Sequence, residues 1–304
     1  MTMQILCGAA RCGLVGSVVA ACASVCVAAP VAIVNPGFED FSVGVQFNEF
    51  TFGPPAGWSL HDPLGITGGG AGNTFYVGTL RPTEMDPVGN PGVYENFPDG
   101  AAEGIRVAIA FNFEGSGGLG EYGLVQTLGA TLAADTTYTL EVEVGNIASG
   151  FAVSGDFFPL DGFPGYRVEL LAGGVVVASD NNTLAGTIGE GAFATSTVVV
   201  VTDGAPAQLG QPLGVRLVNL NVVDPVFPDS DLEVDFDDVR LDATPNPVCP
   251  DVNGDGVTNA SDFTVLAGNF GSAVPVNTAG DLNGDGVVNA ADFTILAGAF
   301  GCGA

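Results

Sequence analysis

The chain of 304 residues has six arginines, no lysine and 34 Asp plus Glu, for a formal charge of −28. That balance repels polyanions, which excludes nucleic acid and anionic membrane surfaces as partners. Apolar residues at 47% together with 46 glycines suit strands joined by many turns and exclude a disordered chain.

Residues 1–29 carry one cation, Arg11, and then an apolar, small-residue run from Cys12 to Ala29. This is the layout of a secretory signal peptide, with cleavage expected near Ala28 or Ala29. Val19, Ala20, Ala21 and Cys22 also resemble a bacterial lipobox, so a lipoprotein anchored through Cys22 is the runner-up. No later stretch reads as a membrane span. Four cysteines lie in the first 26 residues, which leaves Cys249 and Cys302 for the mature chain. A bridge between them implies an oxidising compartment and contributes about 4 kcal/mol by chain entropy.

Residues 30–242 read as one β-rich domain. Short Val, Thr, Tyr and Phe runs recur between Gly, Pro, Asn and Asp clusters: Phe47 to Phe52, Thr74 to Leu80, Ile105 to Phe113, Tyr122 to Leu128, Thr137 to Val144, Tyr166 to Leu171, Ala192 to Thr202, Leu213 to Leu220 and Leu232 to Leu241. In Thr137 to Val144 the apolar Tyr138, Leu140, Val142 and Val144 alternate with polar residues, as in a strand with one wet face. Near the end, Leu232, Val234 and Phe236 share a parity that Val239 and Leu241 break, so a bulge is expected at Asp237 and Asp238. His61, the sole histidine, is expected in a loop, and a His-based triad or metal cluster has no material.

After a proline-rich linker at 243–249, residues 250–304 hold a duplication. Asp251 to Gly271 reads DVNGDGVTNASDFTVLAGNFG and Asp281 to Gly301 reads DLNGDGVVNAADFTILAGAFG. The first copy places Asp251, Asn253, Asp255, the Val257 carbonyl, Asn259 and Asp262 where a calcium loop needs oxygen ligands, with Gly256 at the sharp turn. The second repeats this with Asp281, Asn283, Asp285, the Val287 carbonyl, Asn289 and Asp292, around Gly286. Both loops end in Asp rather than the usual Glu, and each twelfth position also opens a helix, where a carboxylate is favoured. Phe263, Leu266 and Phe270, and their counterparts Phe293, Leu296 and Phe300, fall at helical spacing and are expected to be core. Metal binding is expected to be coupled to folding of the tail.

These residues resemble the dockerin domain, in which two loop-and-helix calcium repeats end a secreted protein. The resemblance implies two bound calcium ions and attachment to a cohesin-type scaffold protein. Ala267, Gly268, Ala297 and Gly298 occupy helix positions where many dockerins carry Lys, Arg or hydroxyl residues for cohesin contact. Upstream, VNPGFED at Val34 to Asp40, Gly57–Trp58 and VDFDDVRL at Val234 to Leu241 resemble jelly-roll carbohydrate-binding modules. That likeness implies first and last strands lying together and one structural calcium, with Glu39 and Asp237 or Asp238 as ligands. Aromatic platforms for sugar are then sought among Trp58, Tyr76, Tyr94, Tyr122, Phe157, Phe158 and Tyr166; Trp58, Tyr94, Phe157, Phe158 and Tyr166 are the chosen set.

The fold expected is mainly β, a jelly-roll β-sandwich followed by a small α-helical calcium-binding dockerin domain. The function expected is a secreted, non-catalytic carbohydrate-binding protein attached to an extracellular polysaccharide-degrading assembly. A dockerin-bearing glycoside hydrolase or polysaccharide lyase competes with it, as does a surface structural protein. Glu233, Asp235 and Asp238 faintly resemble a glucanase strand, E-x-D-x-x-E, but a calcium-binding or solvated edge is the preferred reading of that segment.

Overall fold

A computed structural model describes residues 28–72, 74–83, 96–113, 120–246 and 249–302. The expected signal segment, Cys22 and Tyr94 lie outside the described residues. The chain divides into two compact units, 26–246 and 247–304. No helix among the described residues is long and apolar enough to cross a membrane.

The first unit is a two-sheet sandwich in which every strand pair is antiparallel. The larger sheet runs β13 (Ala192–Val201), β8 (Thr136–Asn146), β15 (Leu232–Pro245), β6 (Val107–Asn112), β5 (Phe75–Leu80), β3 (Phe50–Phe52) and β2 (Val45–Phe47). The first strand, β1 (Ala29–Pro30), also pairs with the last, β15. The smaller sheet runs β12 (Val175–Asn181), β11 (Tyr166–Ala172), β14 (Pro212–Asn219), β7 (Tyr122–Thr131) and β4 (Ser59–His61). A separate two-stranded hairpin joins β9 (Gly150–Phe151) to β10 (Phe157–Phe158).

Period-two patterning fills the space between the sheets. Tyr138, Leu140, Val142 and Val144 of β8 are buried against a cluster that includes Val168 and Leu170, Val215 and Leu217, and Val234 and Phe236. The bulge is present: pairing of β15 with β8 shifts between Asp237 and Arg240, and Asp238 has φ +45°. The shift turns Val239 and Leu241 back into the core despite their parity.

Four local expectations need correction. Phe47 to Phe52 is a hairpin, because Asn48 takes φ +52° and folds β2 back on β3. The strand β12 was missed, although Gly173 and Gly174 at φ +60° and +80° make the two-residue turn that reverses β11 into it. His61 ends β4 rather than sitting in a loop. Residues 243–245, assigned to the linker, continue β15 through Pro245.

A second apolar cluster lies on the other face of the large sheet. Tyr76, Val107, Ile109 and Phe111 alternate with Val77, Ala108 and Ala110 of the first cluster, so β5 and β6 are buried on both faces. Leu160, Phe158 and Ile147, from the segment around the β9–β10 hairpin, cover that outer face. The uninterrupted run VAIAFNF follows from this double burial.

The second unit pairs α1 (Ala260–Gly268) with α2 (Ala290–Gly298) over Leu266, Val288 and Leu296. Each loop bonds the segment that follows the other repeat's helix: Val288 exchanges backbone hydrogen bonds with the Gly271–Ser272 segment, and Thr258 with Gly301–Cys302. The Cys249–Cys302 disulfide, with Cα atoms 5.4 Å apart, closes the unit at its ends. Phe263, Phe270, Phe293 and Phe300, expected as core, are exposed by 43–61%, because two nine-residue helices bury only the central stripe.

Leu140 is fully buried, whereas Val199 on the edge strand β13 is 53% exposed. Leu140→Ala is expected to destabilise the sandwich by about 2–5 kcal/mol in urea unfolding followed through the single tryptophan. Val199→Ala is expected to stay within about 0.5 kcal/mol.

Candidate functional site

Double burial of β6 puts its neighbour β15 in the sheet interior, and the outward-facing residues of β15 are acids. Glu233 pairs with Phe111 and Asp235 with Ile109, so both carboxyls lie on the second face, 6% and 0% exposed. This corrects the reading of the EVDFDD segment as a solvated edge, since β15 lies inside the sheet. Glu233 forms part of the lining of a cavity with Phe50, Tyr76, Phe111 and Phe158. The rings adjoin in sequence, with centroids 6.3 Å apart for Phe50 and Tyr76, 5.0 Å for Tyr76 and Phe111, and 5.9 Å for Phe111 and Phe158.

Residues of the β9–β10 segment form one wall of the cavity. Gly150, Ala152 and Phe158 line it, as do Glu49 and Asn96. Val153 N–H donates to Glu49 Oε1 at 2.9 Å, and Asn96 Nδ2 donates to the Ala148 carbonyl at 3.1 Å. The cavity measures about 40 Å³, room for a few waters.

The electrostatics follow from burial. Apart from the hydrogen bond that the two carboxyls share, Glu233 Oε1 has no partner, nor has either carboxylate oxygen of Asp235. Burial, reinforced by the charge of Asp231, pushes the Glu233 carboxyl up to about 8. Burial and the neighbouring Glu233 likewise hold Asp235 well above the usual carboxylate range. A carboxyl in that state is neutral at pH 7 and can donate a proton or a hydrogen bond. Tyr76, buried and facing Glu233, is raised too and stays a phenol.

The expected sandwich calcium ligands are only partly brought together. Asp237 Oδ2 accepts from Glu103 N at 2.7 Å and Oδ1 from Asp238 N at 2.8 Å, while burial pushes its carboxyl up to about 7. Glu39 Oε1 accepts from Ile105 N at 2.6 Å and Arg106 N at 2.8 Å, on the same turn. Glu103, which sequence reasoning missed, comes so near Gly37 that a Cβ there would lie 1.9 Å from its Oε2. The Asp238 carboxylate binds Arg240. Among the described residues, the three acids whose ligand atoms converge within 4.8 Å lie in the tail.

The aromatic platforms fare differently. Trp58 packs on Phe38 in the core, with its indole N–H donating to the Asn35 carbonyl at 3.2 Å. Tyr166 is fully buried and donates to Asp180. Neither offers a face to a sugar, because both fill the space between the sheets. Tyr122 is buried there as well, and Tyr76 faces the cavity. Phe158 lines the cavity, whereas Phe157 is exposed and meets Phe151 edge to face, 5.1 Å between centroids.

In the tail, Asp251, Asp255 and Asp262 form the convergent set. Gly256 and Gly286 take φ +91° and +80° at the sharp turns, a conformation glycine adopts without strain. Asp262 accepts from Asn259 N at 2.7 Å, Val252 N at 2.7 Å and Asn253 N at 3.0 Å, which hold its carboxyl below the usual range, the Asn259 bond foremost. Asp292 repeats the pattern with Asn289, Leu282 and Asn283; burial opposes ionisation there, but these N–H groups outweigh it. Asn259 and Asn289 are helix N-caps, and each forms a capping box with the acid at position twelve. Asn253 and Asp255, like Asn283 and Asp285, bond within their loops. The hard oxygen donors and left-handed glycine turns fit calcium.

The chain is thus a β-sandwich with an acid-floored aromatic cavity, followed by a module of paired calcium-type loops. Residues 249–300 are a dockerin type I domain. Residues 29–242 match the HpiC1-like cyclase family, and the chain belongs to that family. A cyclase from Fischerella sp. TAU is similar to it at 37% identity, covering 73% of this chain and 100% of that one with a TM-score of 0.57. The Stig cyclase Fisc from the same source, in complex with (3Z)-3-(1-methyl-2-pyrrolidinylidene)-3H-indole, shows 38% identity over 72% of this chain and 100% of that one, TM-score 0.56. A further cyclase structure from that source, in complex with 4-(1H-indol-3-yl)butan-2-one, shows 37% identity over 72% of this chain and 100% of that one, TM-score 0.57. No match was found among curated proteins.

Two outcomes follow. Removing calcium with a chelator is expected to abolish the unfolding transition of the tail while the sandwich transition stays in place, and Asp262→Ala is expected to reproduce most of that loss; scanning calorimetry reads both. The folded Glu233 carboxyl is raised from 4.5, so its cost to the fold is absent below about pH 4.5 and grows as pH rises through the neutral range to about 8. Glu233→Gln removes that cost and is expected to gain a few kcal/mol on the parent between pH 5 and pH 8, measured by urea unfolding at both.

Proposed function

We propose that the sandwich is an acid-type cyclase for small unsaturated aromatic substrates, exported and tethered through its tail. The observation that carries this reading is the buried carboxyl of Glu233, which burial favours in its neutral form, set in one cavity with the rings of Phe50, Tyr76, Phe111 and Phe158. Membership of the HpiC1-like cyclase family supports it, and two of the similar cyclases are in complex with indole compounds. Glycoside hydrolysis is less well supported, since it needs two carboxyls flanking a polar cleft.

In this reading the β9–β10 hairpin lifts, admits the substrate and closes, which excludes water. Glu233 O–H gives its proton to an unsaturated carbon, and the cation that forms is held by the ring faces. An internal double bond attacks the cation and closes the ring. Loss of a proton from the closed product back to Glu233 restores the carboxyl, so the net change is an isomerisation without a co-reactant. Tyr76, kept as a phenol, lines the same cavity.

The tail supplies the attachment. Each loop takes one calcium ion, two in all, which screens the carboxylates and frees the helices to meet a cohesin-type scaffold protein. Export through the N-terminal signal fits the disulfide and the dockerin. Carbohydrate binding remains the second reading, favoured by one observation: the exposed Phe151 and Phe157 pair on the hairpin is the kind of surface on which sugar rings stack.

Hydrogen exchange at C3 of indole in D2O tests the acid without requiring the natural substrate. The full chain is expected to speed exchange at least tenfold over buffer, and Glu233→Gln, if folded by circular dichroism, is expected to return it to the buffer rate. Equal exchange by parent and variant would sink the acid assignment. Binding to a polysaccharide panel with no exchange would favour the second reading.

A further inference from the structure

Of all the asparagines in the chain, only Asn253 and Asn283 precede a glycine, and they occupy the same place, position three, in the two tail loops. Asn-Gly is the dipeptide most open to deamidation. A glycine without a Cβ lets its backbone nitrogen swing onto the carboxamide carbon of the asparagine before it. Both asparagines are exposed, so water reaches them.

The folded loops hold the reacting atoms apart. Gly254 N donates to Asp251 Oδ1 at 2.7 Å and Gly284 N to Asp281 Oδ1 at 3.0 Å, so each nucleophile is turned away from its asparagine. The carboxamides are held as well. Asn253 Oδ1 accepts from Asp255 N at 2.9 Å and its Nδ2 donates to Asp255 Oδ2 at 2.9 Å, and Asn283 makes the same two bonds with Asp285, also at 2.9 Å each. Gly254 and Gly284 take φ +79° and +73°, which fixes the peptides that would have to rotate. Every acceptor for these N–H groups outside the asparagines is a carboxylate, and carboxylates so close repel one another unless a cation lies between them. The clamp on each Asn-Gly pair is therefore only as firm as the metal-bound loop.

We infer that Asn253 and Asn283 are deamidation sites, shielded in the calcium-loaded tail and reactive in the metal-free one. This rests on the reading of the loops as calcium sites and adds the covalent fate of an unloaded tail. In an opened loop the Gly254 nitrogen attacks Asn253 Cγ; the N–Cγ bond forms, the Cγ–Nδ2 bond breaks, and the nitrogen's proton leaves with the amide as ammonia. The resulting succinimide is opened by water at either carbonyl, which gives aspartate or isoaspartate and one more negative charge, with no oxidant or reductant. Gly284 and Asn283 react in the same way. Isoaspartate routes the backbone through the side chain and adds a methylene, so the loop's ligands at positions one, three and five no longer fall at alternate residues. A tail kept long enough without calcium thus loses the capacity to take it back, and its attachment role with it.

The test incubates the full chain at pH 8 and 37 °C with excess calcium or with a chelator and follows each asparagine by peptide mapping and mass spectrometry. Conversion at Asn253 and Asn283 is expected to run at least tenfold faster in chelator, while Asn259 and Asn289, in the same loops but followed by alanine, stay intact in both. After calcium is restored, scanning calorimetry is expected to show the tail transition lost in proportion to the isoaspartate formed. A double variant, Asn253→Asp with Asn283→Asp, keeps an oxygen ligand at position three but has no carboxamide there, and is expected to recover its transition after the same incubation. Equal conversion with and without calcium, or conversion in neither, overturns the inference, as does an equal loss of the transition in the double variant. In each of those cases a tail transition that still depends on calcium leaves the loop reading standing, whereas a tail indifferent to calcium from the start removes that reading as well.

Discussion

Burial of carboxyl groups on the outer face of β15 is the constraint on which the rest of the sandwich turns. An ionised acid removed from water without a partner is costly enough that the group gives up its charge instead. Beyond the hydrogen bond between them, Glu233 and Asp235 have no compensating partners at the oxygens that face the interior. Their neutral state is therefore a product of the second apolar cluster, which exists because the segment from Ile147 to Leu160 folds over the sheet. Remove that cover and the acids become ordinary surface carboxylates. The segment from Ile147 to Leu160 thus sets the burial on which the raised carboxyls depend.

The two units solve opposite problems with the same residue type. In the sandwich, Glu233 is raised because burial strips it of water, an effect that its hydrogen bond with Asp235 only partly offsets; in the tail, Asp262 is lowered because three backbone N–H groups donate to it, that of Asn259 foremost. One environment favours the neutral carboxyl and the other the anion. The capping boxes add a mechanical link, since the acid that closes each loop also starts each helix. Metal binding and helix formation in the tail are therefore expected to be coupled.

Much of this was legible in the sequence. The duplicated loops, the left-handed glycines, the Cys249–Cys302 bridge and the alternating strand at Thr137 to Val144 each follow from local rules about spacing and turn chemistry. The bulge at Asp237 was legible because a parity break can be seen without coordinates. The cavity was not, because its walls come from strands, turns and a hairpin far apart in the chain. Yet a signal existed: VAIAFNF has no polar alternation, and a strand so patterned must be covered on both faces. Trp58 misled for a related reason, since composition names an aromatic but only packing tells whether its face is open. The exposed tail phenylalanines erred in the other direction, as helical spacing does not reveal how narrow a stripe two short helices can bury.

The central claim is that Glu233 is a buried neutral acid at physiological pH. Carbon-13 NMR of the full chain, with glutamate labelled at Cδ and Glu233 assigned by comparison with Glu233→Gln, reads its titration directly. The account predicts an inflection near 8 and a neutral-carboxyl shift at pH 6.5. An inflection near the ordinary glutamate value would contradict it, and with it the assignment of Glu233 as proton donor.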